Sequence, residues 1–199
     1  TVKMLLSHTS SINDSQGYFT LDVINPAKNT DAAKCYNNYS PGQDYQYCNL
    51  NFNLAGTIIE RVSGERFDQY IYNHIIRPLG IYGGFNVNEL DAVKFVTLYE
   101  FDADSSKLTA APNAYHPRRE QISNYVMGYT TPIFSAAGGM KISATDLAKY
   151  MTMHMCFGKY RGTRIISKKS AKTIQTSVSH NYGLAIETTD KLISGEIMK

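Results

Sequence analysis

The feature that most constrains the fold of this chain is a helical repeat of apolar residues between positions 49 and 62. The apolar side chains that recur at helical spacing on one face are Phe52, Ala55, Ile58, Ile59 and Val62. Ser-Gly at positions 63–64 breaks this pattern, and its serine would suit the N-cap of a second helix over about residues 65–76. Pro78 and Gly80 are expected to stop that second helix.

Two further helices are predicted in the second half of the chain, over about residues 144–155 and 168–176. Ser143 and Asp146 have the spacing of a capping box at the start of the first of them, with Asp in place of the usual Glu. In such a box the serine hydroxyl accepts a hydrogen bond from a backbone N–H that has no partner within the helix. The spacing therefore predicts where this helix begins.

Extended structure is predicted for residues 92–110 and for residues 182–188. In the first stretch, residues typical of strands recur at every second position, at Val93, Phe95, Thr97 and Tyr99. Positions 102–106 are suited to the turn of a hairpin. Residues 11–46 and 111–137 are rich in turn-forming residues and are predicted to be loops. The pattern as a whole indicates an α+β fold that is mainly helical and has a few strands.

Composition and charge exclude several classes of function. Hydrophobic residues make up 43% of the chain and charged residues 19%, which is typical of a globular domain. The net charge is +3 and the basic residues are scattered, so no nucleic-acid partner is expected. No run of residues approaches the length of a membrane span. The histidines lack metal-ligand spacing and nucleotide-binding glycine motifs are absent, so neither a metal nor a cofactor is expected.

The three cysteines leave two alternatives open. None of them forms a C-x-x-C pair, so neither a zinc ribbon nor a thioredoxin-like site is indicated. Cys35 and Cys48 could form a disulfide if the compartment is oxidising. Free buried thiols are the simpler alternative.

The most suggestive chemical feature is Tyr47-Cys48-Asn49, directly before the first predicted helix. The side chains at positions 47 and 49 can project to the same side, which would place a phenol and a carboxamide beside a helix N-terminus. A free phenol is a poor base at neutral pH, but a neighbouring ammonium group would make it useful for proton transfer. Taken alone, the residue types favour a simpler arrangement, in which Tyr47 packs on the helix and Asn49 is its N-cap.

Four segments of the chain match a known set of motifs in order and spacing. Residues 5–10 resemble L-L-x-H-T-S, although Ser11 follows where glycine is usual. Residues 47–56 are similar to Y-S-N-x-x-Y-x-L-L-G, and residues 63–81 resemble an S-G-x-x-[FY] helix that ends in P-L-G-M. Residues 135–148 resemble P-A-G-G-L-x-S-[ST]-x-x-D-L-A. These motifs resemble the serine β-lactamase-related family, which includes class C β-lactamases, penicillin-binding proteins and D-Ala-D-Ala carboxypeptidases.

The resemblance implies the helical subdomain of a β-lactamase/transpeptidase-like fold, present as a partial domain over residues 1–199. It implies a serine hydrolase that works through an acyl-enzyme. Tyr47 would be a catalytic residue that shares proton transfer with a motif lysine, and Asn49 would bind the substrate. The substrate would be a β-lactam, a D-Ala-D-Ala peptide or a simple ester, and the location would be extracytoplasmic.

Two motifs of that family are not found in this sequence. The S-x-x-K motif with the nucleophilic serine would precede residue 5, and a K-T-G or H-T-G strand would follow residue 186. Both ends of the chain are therefore expected to be cuts in a longer protein, and the chain alone is expected to be inactive. A fragment without most of its sheet would expose apolar surface, which predicts self-association.

Two other functions stay open at this point. The parent protein could be a non-catalytic binder of cell-wall peptides that keeps the fold, since fold by itself does not settle function. Alternatively, the chain could be an unrelated helical interaction module, which would require the four matched segments to be coincidental.

Overall fold

Helices carry most of the regular structure in the computed structural model, which describes residues 1–111 and 115–187. They are, in chain order, α1 (Val2–Leu6), α2 (Asn49–Ser63), α3 (Phe67–Ile71), α4 (Arg119–Ser123), α5 (Ala144–Met155) and α6 (Lys168–Gln175). A π-helical turn, Tyr72–Ile76, continues α3. The predicted mainly helical α+β fold class is confirmed.

The strands within the described residues form three antiparallel pairs. The pairs are β1 (Gly83–Gly84) with β4 (Lys141–Ile142), β2 (Leu98–Asp102) with β3 (Lys107–Ala111), and β5 (Lys159–Tyr160) with β6 (Thr163–Arg164). The β2–β3 pair is the predicted hairpin, with Asp102 opposite Lys107 at its closed end. The extended region is shorter than predicted, because residues 92–94 form a 3₁₀ turn whose N-cap is the Asp91 side chain.

The last described segment corrects the prediction of a strand over residues 182–188. Tyr182 makes only isolated bridges, to Ser179 and to Glu187. The backbone turns between Tyr182 and Glu187, where Gly183 N–H donates to the Ile186 carbonyl at 2.7 Å. A strand requires a neighbouring strand for its backbone groups, and none lies beside this segment among the described residues. Position 188 lies outside the described residues.

Residues 111–137 are predicted to be a loop, but α4 and a 3₁₀ turn at Thr131–Phe134 lie within them. The boundaries of the four predicted helices follow the predictions closely, with one exception at Ser63. This residue is the last of α2, where its hydroxyl donates to the Ile59 carbonyl at 2.7 Å and accepts from Glu65 N–H. The N-cap of α3 is Arg66, which makes no side-chain capping bond. Instead, Phe67 N–H donates to the Glu60 carboxylate at 2.7 Å. A buried side chain of α2 thus takes the capping role that the sequence pattern assigned to Ser63.

The face of α2 that is buried most deeply is polar, contrary to the apolar pattern. Val62, on the predicted apolar face, is 82% exposed. The fully or nearly fully buried polar residues of the helix are Asn51, Asn53, Thr57 and Glu60. Buried polar groups are tolerated where hydrogen bonds satisfy them, and Asn53 Nδ2 donates to the Tyr18 carbonyl at 2.6 Å. The helix is therefore held to the surrounding loops by hydrogen bonds as well as by apolar packing.

Apolar side chains form two separate clusters among the described residues. One lies between the end of the α3 segment and α5, and consists of Ile76, Leu79, Ile81 and Met153. The other lies at the start of α2 and consists of Leu21, Cys48 and Leu50. The second cluster anchors the N-terminal end of α2 and the residues that precede it.

Candidate active site

The structure brings the two predicted site residues together at the N-terminal end of α2. Cys48 has an extended backbone, with φ of −153° and ψ of 117°, so the residues on either side of it project in the same direction. The Tyr47 hydroxyl lies 3.4 Å from Asn49 Oδ1. Tyr47 is 53% exposed, and the pair is therefore accessible to a ligand from solvent. Proton transfer by Tyr47 and substrate binding by Asn49 stay predictions.

His8 forms the buried floor beneath Tyr47. Its ring is fully buried, and its centroid lies 4.4 Å from that of the Tyr47 ring. Cys48 N–H donates to His8 Nδ1 at 3.1 Å, so this nitrogen is an acceptor. Burial lowers the pKa of His8, although the charge of Asp14 acts in the opposite direction. The imidazole is therefore a neutral structural group that fixes the backbone between Tyr47 and Asn49.

Three more aromatic rings surround His8 and extend the floor of the site. The rings of Tyr45, Phe52 and Tyr182 have centroids 5.7, 5.2 and 4.9 Å from that of His8. The C-terminal segment is held here by a hydrogen bond from Ala185 N–H to the Leu6 carbonyl at 2.8 Å. Aromatic residues that are far apart in sequence thus pack together around the His8 ring, which also contacts Tyr47.

Asp14 organises the site, although no sequence pattern connects it to position 49. Its Oδ2 accepts hydrogen bonds from the backbone N–H and the side-chain Nδ2 of Asn49, at 2.7 and 2.9 Å. Its Oδ1 accepts from Leu50 N–H at 3.0 Å. The carboxylate therefore caps α2 from a loop, and the simpler arrangement, with Asn49 as N-cap, is wrong because Cys48 holds that position.

The environment of Asp14 favours its charged form. Burial acts to raise the pKa of Asp14, but the hydrogen bonds from Leu50, Asn49 and Cys48 together outweigh it and lower the pKa below its ordinary value. A negative charge at a helix N-terminus is also favourable with respect to the helix dipole. Because Asn49 Nδ2 points to Asp14, its Oδ1 is turned towards Tyr47.

Cys48 is a packing residue rather than a nucleophile. The side chain is fully buried, and its thiol donates to Asp14 Oδ1 at 3.1 Å. Burial and this hydrogen bond raise the pKa of Cys48 to about 12, so the reactive thiolate is not populated at neutral pH. Cys35 is likewise buried, and both thiols are free, so the disulfide alternative is not realised.

Gly139, in the segment 138–139 that matches a family motif, is required by a close backbone approach. A Cβ atom at Gly139 would lie 1.9 Å from the Phe134 carbonyl oxygen, whereas one at Gly138 would meet nothing within 4 Å. Only the second glycine of the motif is therefore explained by steric contact.

No group of three or more His, Cys, Asp or Glu side chains that could hold a metal ion occurs within residues 1–111 and 115–187. In the same residues, no helix is long and apolar enough to cross a membrane. Two cavities lie elsewhere on the molecule, with volumes of about 910 and 390 Å³, and neither is lined by Tyr47 or Asn49.

The fold is of the β-lactamase/transpeptidase type. The family described as Beta-lactamase matches residues 1–190, so the chain belongs to the beta-lactamase family. This family comprises serine hydrolases, among them β-lactamases, amidases and penicillin-binding proteins. The predicted resemblance is confirmed.

Similar proteins cover nearly all of the chain. Penicillin-binding protein 4 of Amycolatopsis lactamdurans is 26% identical over 186 residues, which is 90% of this chain and 44% of that protein. The octameric penicillin-binding protein homologue from Pyrococcus abyssi superposes with a TM-score of 0.62 and 25% identity, over 93% of this chain and 42% of that one. A D-stereospecific amidohydrolase from Streptomyces sp. superposes with a TM-score of 0.61 and 21% identity, over 93% of this chain and 55% of that one. The chain thus spans about half the length of these relatives.

Proposed function

We propose that this chain is part of a serine hydrolase that works through an acyl-enzyme, with Tyr47 in proton transfer and Asn49 in substrate binding. The observation that carries the proposal is the accessible Tyr47 hydroxyl 3.4 Å from Asn49 Oδ1. Both side chains rest on a rigid base, because His8 and Asp14 bind the backbone at Cys48 and Asn49. Preorganised groups of this kind lower the cost of reaching the transition state.

The proposed chemistry divides the roles between this chain and residues outside it. A serine in an S-x-x-K motif attacks the substrate carbonyl, and the bond from carbon to the leaving group breaks to give the acyl-enzyme. Tyr47, beside the motif lysine, relays the proton from the serine to the leaving group. Asn49 offers its Oδ1 as an acceptor to an N–H donor, which suits an amide of the substrate or the lysine.

The sequence of this chain contains neither S-x-x-K nor K-T-G or H-T-G. We therefore expect the chain alone to be inactive, with the nucleophile and the strand that completes the oxyanion hole supplied by flanking sequence. The substrate class is a β-lactam, a D-Ala-D-Ala peptide or a simple ester. An extracytoplasmic location follows from the same family assignment and is part of this proposal.

The test compares the 199-residue chain with the protein extended by its flanking coding sequence. With a chromogenic β-lactam, a D-Ala-D-Ala peptide and a chromogenic ester, the chain alone should show no turnover and no acylated serine in mass spectrometry. In the extended protein, Tyr47→Phe should lower kcat by about 10²-fold or more, the usual contribution of a positioned acid–base group. Tyr36→Phe, which changes an exposed tyrosine with no contact to His8, is the matched control. Turnover by the chain alone with an acylated serine would contradict the proposal.

A second candidate function is non-catalytic binding of cell-wall peptides by the same fold. The coding sequence upstream of residue 1 separates the two functions, because the S-x-x-K motif with the nucleophilic serine would lie there. If the extended protein also lacks this motif and binds a D-Ala-D-Ala peptide without turnover, this function replaces the first.

Self-association is a separate proposal, motivated by apolar side chains on the β2–β3 hairpin. Phe101 and Leu108 are exposed and lie opposite each other across the two strands, so their side chains share one face of the hairpin. Contiguous exposed apolar surface is unusual in monomers. We expect light scattering to show that the mass of the 199-residue chain rises with concentration, and that Phe101→Ser together with Leu108→Ser reduces this rise. A concentration-independent monomer mass would count against it.

A further inference from the structure

A cavity of about 390 Å³ lies apart from Tyr47 and combines aromatic with basic walls. The aromatic side chains among its lining residues are Phe19, Phe85 and Phe134, and the basic ones are His116, Arg118 and Lys141. No aspartate or glutamate lines it. Its volume falls within the range of about 300–1,000 Å³ that is typical of small-molecule sites.

The two strongest cations of the cavity have no carboxylate partner among the described residues. Lys141 Nζ donates one hydrogen bond, to the Gly139 carbonyl at 2.8 Å, which leaves two of its three donors available. Neither Lys141 nor Arg118 takes part in any ion pair within residues 1–111 and 115–187. The nearby Glu89 does not line the cavity and is engaged by Asn86 and Arg66.

The cavity therefore holds positive charge that is not neutralised by the described residues. Burial lowers the pKa of Lys141, and the charge of Arg118 lowers it further. Two cations that face one space repel each other and lose hydration, so an anion placed between them would relieve both costs. The basic lining and the absence of a carboxylate in it favour an anionic ligand.

The walls of the cavity are already fixed by contacts elsewhere in the fold. Arg118 N–H donates to Asn88 Oδ1 at 2.9 Å, which ties the residue before α4 to the 3₁₀ turn Val87–Glu89. Phe134 is 3% exposed, and the Phe85 ring packs edge-on against Phe67 with centroids 4.9 Å apart. Lys141 lies in β4, paired with Gly84 of β1. A ligand would thus enter a preformed site and would not have to order a loop.

We propose that this cavity binds a small carboxylate with an apolar, aromatic-sized body. The guanidinium of Arg118 and the ammonium of Lys141 contact the carboxylate, and the phenylalanine rings contact the apolar body. A guanidinium suits a carboxylate because its planar fork can donate two parallel hydrogen bonds. The inference goes beyond the proposed function, since it uses neither Tyr47 nor an acyl-enzyme and holds whether or not the protein is a hydrolase.

The test uses N-acetylphenylalanine as the probe and its neutral amide, N-acetylphenylalaninamide, as the matched control ligand. Isothermal titration calorimetry on the 199-residue chain should show saturable binding of the acid at one site. The amide should bind about tenfold more weakly or worse, since each 1.4 kcal/mol of lost interaction is a factor of ten. Added salt should weaken binding of the acid more than binding of the amide.

Variants locate the binding to this cavity. Arg118→Gln and Lys141→Met should each weaken binding of the acid about tenfold or more. Arg119→Gln removes the adjacent arginine, which does not line the cavity, and should change the affinity less than about twofold. Circular dichroism melting curves should coincide for Arg118→Gln and Arg119→Gln, because neither guanidinium makes a hydrogen bond or ion pair within the described residues, whereas Lys141→Met also removes the hydrogen bond to Gly139. A melting shift in Lys141→Met alone would leave Arg118→Gln as the deciding variant.

Equal affinities for the acid and the amide would overturn the proposal, as would equal losses in Arg118→Gln and Arg119→Gln. Binding that is lost in Tyr47→Phe but kept in Arg118→Gln would place the acid in the candidate active site instead of this cavity. An inactive extended protein that still binds the acid through Arg118 would refute the hydrolase and leave the carboxylate site intact.

Discussion

The two ends of α2 are each organised by one carboxylate, but the two carboxylates differ in what they hold. Asp14 reaches the N-terminal end from a loop and accepts four hydrogen bonds, two from backbone N–H groups and one each from an amide and a thiol. Glu60, near the C-terminal end, also accepts four, from two backbone N–H groups and two hydroxyls. Asp14 is half-buried beside the open site, whereas Glu60 is 1% exposed.

Three of the four partners of Glu60 come from residues 125–131, which are distant from it in sequence, and the fourth is Phe67 at the start of α3. Gly128 N–H and the Thr131 hydroxyl donate to its Oε2 at 2.7 and 2.8 Å, and the Tyr125 hydroxyl and Phe67 N–H donate to its Oε1. Burial raises the pKa of Tyr125, and the bond to Glu60 raises it further. Glu60 thus holds α2, α3 and the 125–131 loop together, while Asp14 positions Asn49. Each carboxylate accepts four hydrogen bonds, but those of Glu60 mainly stabilise the fold, whereas those of Asp14 mainly set the geometry of the candidate active site.

Glu60→Ala should produce the largest effect on the free energy of unfolding. The substitution leaves four donors without their acceptor in a place that water does not reach, and breaking such a buried network costs about 3–5 kcal/mol. Urea denaturation of the 199-residue chain measures the loss. Glu120→Ala, at an exposed position of α4, serves as the control and should stay within about 0.5 kcal/mol. A loss no larger than that of the control would remove the distinction between the two carboxylates.

Asp14→Ala should cost less stability, about 1–2 kcal/mol, which is the usual range for a lost helix cap. The effect is smaller because Asp14 is half-buried and water can replace part of what it accepts. Hydrogen exchange should accelerate at the amides of Asn49 and Leu50 and stay unchanged at Phe67 and Gly128, which belong to the Glu60 end. Acceleration at both ends would show that the helix responds as one unit.

The same substitution tests Asp14 as a positioning residue in the extended protein. If Asp14 orients the Asn49 carboxamide, Asp14→Ala should lower kcat/KM, and the further loss on adding Asn49→Ala should be smaller than the effect of Asn49→Ala in the unchanged protein. Additive losses in this double-mutant cycle would mean that Asp14 stabilises the fold without acting through Asn49.

Acid pH should have the smallest effect and should separate Asp14 from His8. The pKa of Asp14 is lowered in the folded state, so its contribution to stability is present above its ordinary value of 3.8 and is lost as pH falls through the folded pKa. The pKa of His8 is also lowered, by burial, so the unfolded chain takes up protons first and stability already begins to fall below about pH 6.5.

Urea midpoints measured between pH 2 and 7 should therefore show two windows of loss. Asp14→Asn should flatten the loss of stability below pH 4, and His8→Gln should flatten part of the loss that begins below about pH 6.5. Asp31→Asn, at an exposed aspartate, is the control for the first window. If Asp14→Asn leaves the acid window unchanged, other carboxylates dominate it and the assigned role of Asp14 in stability is wrong.

The local elements of this protein could be predicted because each depends on residues a few positions apart. The α5 helix begins where the Ser143–Asp146 capping box predicts, with Asp146 N–H donating to Ser143 Oγ at 3.1 Å. The β2–β3 hairpin turns where Asp102 and its neighbours predict. Tyr47 and Asn49 could be paired from sequence because one extended residue separates them. Interactions of this range are set by backbone geometry and pattern alone.

Sequence alone therefore determined the helices α2, α3, α5 and α6, the hairpin, the family motifs and the pairing of Tyr47 with Asn49, but neither α1 nor α4. Only the tertiary structure decided that Asp14 caps α2 from 35 positions away, that Glu60 replaces Ser63 at the start of α3, and that basic and aromatic residues meet in one cavity. It also decided that residues 182–187 turn back without forming a strand. The physical reason is that these features depend on closing long loops, and the partner that satisfies a buried polar group across such a loop leaves no periodic trace in the sequence.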